Sequence, residues 1–221
     1  MTITIIGGGI IGLTTAFELT ERGESVHLID AETSDYGTAA DGTALYPAAS
    51  HYAGGMLAPI AEVQFQQDAL FPLMTASADA YPSLMDRLSR ATDLPTGYDT
   101  TGTLIVAADR ADAEHLQRTR AYYRDMNRPA DPVTPTQARA LEPLLAPRIA
   151  GAVSIPSDHQ LHPRLMRRAL KDALTRRGVT FSAERVTDPD AGDIICTGLG
   201  ATLHGDYPLR PVYGDILRLR A

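Results

Sequence analysis

The sequence has a single cysteine, Cys196, among its 221 residues. One thiol excludes an internal disulfide framework and any multi-cysteine metal site, and it favours a reduced, cytoplasmic protein. No run approaches the roughly 18 apolar residues that cross a bilayer. The N-terminus also lacks the basic region and cleavage site of a secretory signal. Basic residues are outnumbered by acidic ones, and the net charge of −7 argues against a nucleic-acid or anionic-membrane surface.

The first 30 residues have the pattern of a strand, a helix and a second strand. The β-rich run from Thr2 to Ile6 ends at Gly7-Gly8-Gly9, and apolar residues then recur at helical spacing from Ile10 to Arg22. Gly23 is typical of a residue that ends a helix, and Ser25 to Asp30 is a second, mostly apolar strand. This order predicts a parallel βαβ unit.

The glycines of this unit have the spacing Gly7-x-Gly9-x-x-Gly12, which predicts a dinucleotide pyrophosphate site at the start of the helix. Gly7 permits the tight turn, Gly9 lets the backbone approach the phosphates, and Gly12 allows close packing of helix on strand. Asp30 ends the second strand, where its carboxylate can bind ribose hydroxyls and would repel the 2′-phosphate of NADP. The motif leaves both FAD and NAD open.

Further elements follow from apolar periodicity and from capping residues. Pro72 and Pro82 are expected to kink or split a helix from about Asp68 to Arg90. Thr134-Pro135-Thr136-Gln137 is a capping box that starts a short helix. The other predicted helices are Arg110 to Met126 and His162-Pro163 to about Arg177, and the predicted strands are Thr103 to Ala107, Gly151 to Ile155, Val179 to Ser182, Asp193 to Cys196 and Arg210 to Ala221.

A second glycine loop bears on whether the bound dinucleotide is FAD or NAD. Its sequence is Ala53-Gly54-Gly55-Met56-Leu57-Ala58-Pro59-Ile60-Ala61-Glu62. It resembles the flavin-contacting loop of glycine oxidases of the thiamine-biosynthesis type, within the FAD-dependent D-amino acid oxidase family. NAD dehydrogenases do not carry this loop. Matches to the same family keep their order along the chain at Gly102-Thr103-Leu104, Leu141-Glu142-Pro143, Gly151-Ala152-Val153, His162-Pro163 and Arg210-Pro211-Val212-Tyr213-Gly214-Asp215.

The resemblance implies an α/β fold with a FAD-binding Rossmann-like domain, a doubly wound parallel sheet, and the start of a smaller α+β substrate domain. Residues 1–75 and 150–204 would form the discontinuous FAD-binding domain, and residues 76–149 and 205–221 the partial substrate domain. The family's substrate-binding arginine, active-site tyrosine and last flavin loop would lie beyond residue 221. The chain is therefore expected to lack the C-terminal third of the family, and its catalytic residues stay unknown.

The resemblance also assigns the cofactor-binding residues. They are Gly7, Gly9, Ile10, Ile11 and Gly12 at the pyrophosphate, Asp30 and Ala31 at the adenosine ribose, Ser50 near the phosphates, Gly54, Gly55 and Met56 beside the isoalloxazine, Val186 near the adenine, and Thr197 and Gly198 in a turn close to the cofactor. No residue is assigned to a metal.

The activity implied by the resemblance is oxidative deamination of glycine or a small D-amino acid, linked to thiamine biosynthesis. Hydride would pass from the α-carbon to flavin N5, and O2 would be reduced to H2O2. The partners are then a small amino acid and O2, without nucleic acid or membrane. Two alternatives stay open for the chain by itself: an inert FAD-binding fragment, or one half of a two-chain amine oxidase. Association, as a homo-oligomer or with a second chain that supplies the C-terminal part, is left open with them.

Several polar residues lie outside these assignments. His51 is a base or flavin hydrogen-bond donor, or else a solvent-facing loop residue. Asp158, His159 and His162 contain too few ligands for a metal site, and His162 fits a helix start. Cys196 is expected to be buried and inert. The remaining expectation is that four arginines form a solvated helix face, namely Arg167, Arg168, Arg176 and Arg177.

Overall fold

The computed structural model describes residues 1–31, 49–63, 69–188 and 190–203, with Leu209, Arg210, Val212 and Gly214. Two compact units divide the chain. The first comprises Met1–Gly55, Met85–Gly97 and His162–Ala221, and the second comprises Met56–Leu84 and Tyr98–Leu161. The bounds of these units fall at other positions than those expected for the two domains. Which residues form a FAD-binding domain and which a substrate domain stays a prediction.

Short strands and helices alternate along the described residues. The strands are β1 (Thr2–Ile6), β2 (Ser25–Asp30), β3 (Met56–Leu57), β4 (Thr103–Ala107), β5 (Asp131–Val133), β6 (Gly151–Ile155), β7 (His159–Gln160), β8 (Thr180–Ala183) and β9 (Ile194–Ile195). The helices are α1 (Ile10–Glu21), α2 (Ala49–Tyr52), α3 (Phe71–Ala91), α4 (Arg110–Asp125), α5 (Pro135–Leu141) and α6 (Pro163–Arg176), and a 3₁₀ helix spans Gly198–Leu203.

The first unit contains a parallel sheet with the strand order β8-β2-β1-β9. From β1 the chain continues to β2 and later to β8 on one side, whereas β9 pairs with the other side of β1. This is the order of an open α/β sheet, whose ligands bind beyond the carboxyl ends of the strands where the order reverses. The predicted α/β class and parallel sheet are confirmed.

Helices α1 and α6 pack against each other in this unit. Phe17 of α1 is fully buried, and the Arg177 guanidinium lies 4.7 Å from the centre of its ring. Arg87 of α3 donates two hydrogen bonds, of 3.1 and 2.5 Å, to the Glu18 carboxylate.

Arg167 is 2% exposed, so the expectation that it belongs to a solvated face is wrong. It lies on the side of α6 that packs inward with Met166 and Leu170.

The second unit has an antiparallel sheet of order β4-β6-β5 and the two-stranded pair β3-β7. Thr134 and Gln137 form the predicted capping box at the start of α5. α3 is one helix of 21 residues with Pro82 inside it, so of the two expected outcomes, a kink or a split, the split is wrong. Pro72 lies in the first turn of α3, where backbone N–H groups have no intrahelical acceptor. The missing N–H of proline therefore costs no helical hydrogen bond there. The buried core of this unit comprises Ile60, Ala107, Leu116, Tyr123, Ala130, Val153 and Ile155.

None of the helices in the described ranges combines the length and the apolar character that a membrane crossing requires. Residues 32–48 lie outside the described ranges. The strand predicted from Arg210 to Ala221 also falls outside them, apart from three separate positions.

Candidate functional site

The turn between β1 and α1 leaves no room for side chains at two of its glycines. Gly7 has φ +109°, and a Cβ there would lie 2.3 Å from the carbonyl oxygen of Cys196. At Gly12 a Cβ would lie 1.8 Å from the carbonyl oxygen of Gly7. The Cys196 amide also donates to the Ile6 carbonyl at 2.6 Å. Backbone therefore packs directly on backbone where α1 begins beside the ends of β1 and β9.

The N-terminus of α1 points its amides at the space beyond this turn. Gly9 is the N-cap residue and offers no side chain. The Ile10 amide donates to the Ser50 hydroxyl at 3.1 Å. The next two amides, of Ile11 and Gly12, belong to the first turn of the helix, where no intrahelical acceptor exists. Amides of Ile11 and Gly12 that bond to no described residue, with the positive end of the helix dipole, make this a site for an anion such as a phosphate.

Asp30 stands at the carboxyl end of β2 and faces the same turn. Its carboxylate accepts a hydrogen bond from the Gly8 amide. A Cβ on Gly8 would lie 3.1 Å from the Asp30 side chain. Asp30 also lines a cavity of about 290 Å³, together with Gly8, Leu28, Lys171, Thr175, Phe181, Ser182 and Ala183. A carboxylate at the mouth of such a cavity can accept hydrogen bonds from the hydroxyls of a ligand.

Thr197 supplies an independent test of whether a polar ligand fits here. Its Oγ1 is buried and has no hydrogen-bond partner among the described residues. Its amide nitrogen lies 3.0 Å from where a Cβ on Gly7 would be. A buried hydroxyl without a partner costs about 1–3 kcal/mol. A polar ligand at the turn would remove that cost, so the residues present fit a dinucleotide phosphate group.

The second glycine segment continues from the first unit into the second. Gly54 is exposed, and Gly55 has φ +91°, a conformation that favours glycine. Met56 begins β3, pairs with Gln160 of β7, and is 62% exposed. The segment therefore presents bare backbone followed by an exposed, polarisable side chain, which suits contact with a flat ring.

The described contacts bring together Gly7, Gly8, Gly12, Asp30 and Cys196, and they add Ile10, Ser50 and Thr197 at the same turn. Ala31 and Val186 have no described contact with this group. Both are half-buried, and Val186 follows β8 in an irregular segment. Gly198 has φ +56° and starts the 3₁₀ helix. The cofactor roles of all these residues stay predictions.

Several polar residues have surroundings that the sequence did not indicate. His51 is 7% exposed, so the solvent-facing interpretation is wrong; it lies in α2 beside Tyr52, and its carbonyl accepts from Arg164. His162 caps α6, as its position before Pro163 predicts. Cys196 is half-buried, so the expectation of a buried thiol is wrong, but partial burial raises the pKa of the thiol and disfavours the nucleophilic thiolate.

The sequence pattern suggested Asp158 only as a metal ligand, and it did not indicate Lys171 at all. Asp158 accepts hydrogen bonds from backbone amides of the segment after β3. Lys171 lines the cavity beside Asp30 from α6. No local pattern marks either residue: the Ile60 and Ala61 amides lie 98 and 97 positions from Asp158, and Lys171 shares its cavity with Asp30 of β2.

Comparison with known proteins identifies the family of the chain. A family model described as FAD dependent oxidoreductase matches residues 2–221. The chain is 28% identical over 244 residues to a glycine oxidase of Geobacillus kaustophilus, covering 99% of this chain and 61% of that protein. It is also 28% identical over 237 residues to a bifunctional protein ThiO/ThiG of a Nostoc species, covering 99% of this chain and 34% of the relative.

Among solved structures, glycine oxidase from Geobacillus kaustophilus superposes with a TM-score of 0.74 at 26% identity, covering 91% of this chain and 56% of that one. Iminodiacetate oxidase from Chelativorans sp. BNC1 has a TM-score of 0.71 at 22% identity, a likeness of fold. The chain thus spans about three fifths of the length of the glycine oxidase it matches. FAD is the cofactor of the matched family. The chain belongs to the FAD dependent oxidoreductase family.

Proposed function

We propose that the chain binds the adenosine diphosphate end of FAD at the β1–α1 turn, and that the protein oxidises glycine or a small D-amino acid. The observation that carries the proposal is the junction of Gly7, Gly12 and the Asp30 carboxylate at the carboxyl end of a parallel sheet. The similarity to glycine oxidase supports the substrate class. The similarity to a ThiO/ThiG protein supports a link to thiamine biosynthesis.

Each proposed contact follows from the chemistry of a residue in place. Ile10, Ile11 and Gly12 would line the pyrophosphate, with the amides of Ile11 and Gly12 as donors, since the Ile10 amide donates to the Ser50 hydroxyl. The helix dipole adds positive potential there. Asp30 would accept from the ribose hydroxyls, and Ala31 would lie beside them. Thr197 Oγ1 would gain the partner it lacks among the described residues. In the same proposal Gly54, Gly55 and Met56 lie along the isoalloxazine, Val186 lies near the adenine, and Gly198 continues the turn after Thr197.

Bound FAD supplies hydride acceptance from the substrate α-carbon and reduction of O2 to H2O2. The protein's part is to hold the substrate and the cofactor in register and to tune their electrostatics. None of the described residues is assigned to the substrate carboxylate.

The test is titration of the purified 221-residue chain with FAD. We expect bound flavin with absorption bands near about 370 and 450 nm, and quenched flavin fluorescence. A peroxide assay with glycine and with D-alanine then tests turnover. A protein that stays colourless with excess FAD would refute the binding proposal. Bound FAD without peroxide would instead favour an inert FAD-binding chain, and peroxide formed only with D-alanine would refute glycine as the substrate.

The Ser50→Ala variant tests the phosphate end of the site. Removing the hydroxyl is expected to raise the Kd for FAD about three- to tenfold, because one neutral hydrogen bond contributes about 0.5–1.5 kcal/mol. The measurement is fluorescence quenching during FAD titration. Ser89→Ala is the matched control, since the described partner of the Ser89 hydroxyl is the Asp86 carbonyl on an exposed helix face. An unchanged Kd for Ser50→Ala would remove Ser50 from the site.

A further inference from the structure

Asp158 is a fully buried carboxylate in the second unit, between β6 and β7. One of its oxygens accepts from the Ile60 amide at 3.3 Å, and the other accepts from the Ala61 amide at 3.1 Å. The Thr103 hydroxyl donates a third hydrogen bond. Both oxygens are therefore used to hold the turn that follows β3.

The strand β7, which begins one residue after Asp158, holds β3 itself. Met56 pairs with Gln160, and Leu57 pairs with His159. On its other side β7 is bridged to Asp99, with N–H···O distances of 2.8 and 2.9 Å. The Tyr98 hydroxyl lies 2.7 Å from Nδ1 of His159. Residues 56–61 are thus fixed at the strand and again, immediately afterwards, at the Asp158 carboxylate.

Burying a carboxylate is costly, because an apolar environment disfavours its charged form. Burial raises the pKa of Asp158, although the amides of Ala61 and Ile60, the Thr103 hydroxyl and the charge of His159 all oppose that rise. Apolar residues of similar volume would fill the same space without this cost. A carboxylate, however, offers a separate acceptor oxygen to each of the two successive backbone amides.

We infer that Asp158 is a positioning residue, which fixes the backbone of residues 56–61 so that Met56 is presented to the isoalloxazine. The inference rests on the proposed FAD site, because Met56 directly continues the Gly54-Gly55 segment. Asp158 itself is buried and acts through the two amides it binds. The Tyr123 hydroxyl donates a further, longer hydrogen bond to the same turn, at 3.4 Å from the Ala61 carbonyl oxygen.

The test compares Asp158→Asn and Asp158→Ala with the wild-type chain at saturating FAD. An asparagine has one acceptor oxygen, so one of the two amide bonds is lost while the shape is kept. We expect the 450 nm band to shift or to lose its fine structure, and the Kd for FAD to rise about tenfold. Hydrogen–deuterium exchange should speed up in the peptide that covers Ile60 and Ala61, while β6 keeps its protection.

Thr103→Val is the matched control, because it removes one hydrogen bond of Asp158 and leaves both amide bonds in place. We expect its Kd to stay within twofold of wild type. Should Asp158→Ala fail to fold, Asp158→Asn and Tyr123→Phe decide the question. Faster exchange at Ile60 and Ala61 with an unchanged flavin spectrum and Kd would overturn the inference, and so would unchanged exchange. If the wild-type chain binds no FAD, the proposed function fails, whereas the exchange data still report whether Asp158 holds the turn.

Discussion

Replacing Gly12 by alanine is expected to abolish FAD binding and to lower the free energy of unfolding by about 3 kcal/mol or more. The added Cβ would lie 1.8 Å from the Gly7 carbonyl oxygen and 3.3 Å from the Cys196 side chain. The nearest obstacle is backbone, which cannot rotate away as a flexible side chain can. α1 would have to move off the end of β1, and its N-terminal amides would leave the phosphate position.

Two other glycines provide controls for this experiment. A Cβ on Gly151 would meet nothing within 4 Å, so Gly151→Ala should change stability by less than about 0.5 kcal/mol. Gly23 also has open space but has φ +84°, so Gly23→Ala should cost roughly 1 kcal/mol and leave FAD binding intact. Urea unfolding and FAD titration of the three variants give the comparison. A Gly12→Ala variant as stable as Gly151→Ala would contradict the packing described for this turn.

Replacing Asp30 by alanine is expected to raise the Kd for FAD about 10- to 150-fold. Hydrogen bonds to a charged group contribute about 1.5–3 kcal/mol, and each 1.4 kcal/mol corresponds to about a tenfold change in Kd. Two losses coincide in this variant, since the carboxylate is proposed to bind the ribose and it also accepts from the Gly8 amide. Fluorescence titration of wild type and variant measures the change.

Titration with FMN, which has no adenosine ribose, distinguishes loss of the ribose contact from loss of the hydrogen bond to the Gly8 amide. Asp30→Ala should leave the Kd for FMN within about threefold of wild type if the ribose contact dominates. An equal rise for FMN and FAD would show that Asp30 acts by shaping the glycine turn. Asp93→Asn is the charge-matched control: Asp93 is an exposed carboxylate of the first unit, and its described partner is Arg176. That variant should bind FAD as the wild type does.

Local sequence signals predicted the elements that depend on neighbouring residues. The glycine spacing predicted β1, α1 and β2, and the structure places them as expected. The capping box at Thr134 predicted the start of α5 for the same reason, since all its hydrogen bonds join residues three apart. The strands β3 and β7 have two residues each and carry no periodicity, so they could not be predicted.

Burial was the property that sequence patterns predicted least well. One of the two interpretations of His51 placed it in solvent, but it is buried; Arg167 was expected on a solvated face and is buried as well. Both residue types are usually exposed or only partly buried in proteins, so the assignment from residue type was wrong. What buries them is the packing of whole elements, which a short window of sequence does not contain.

The sequence by itself determined the dinucleotide turn, because its glycines and Asp30 lie within one βαβ unit and their chemistry is local. The resemblance of the Gly54-Gly55-Met56 loop then distinguished FAD from NAD. Only the tertiary structure decided what holds these segments. It brought Ser50 to the Ile10 amide across 40 positions and Asp158 to the Ala61 amide across 97. The physical reason is that a hydrogen bond depends on distance in space, and chain folding sets that distance for residues far apart in sequence.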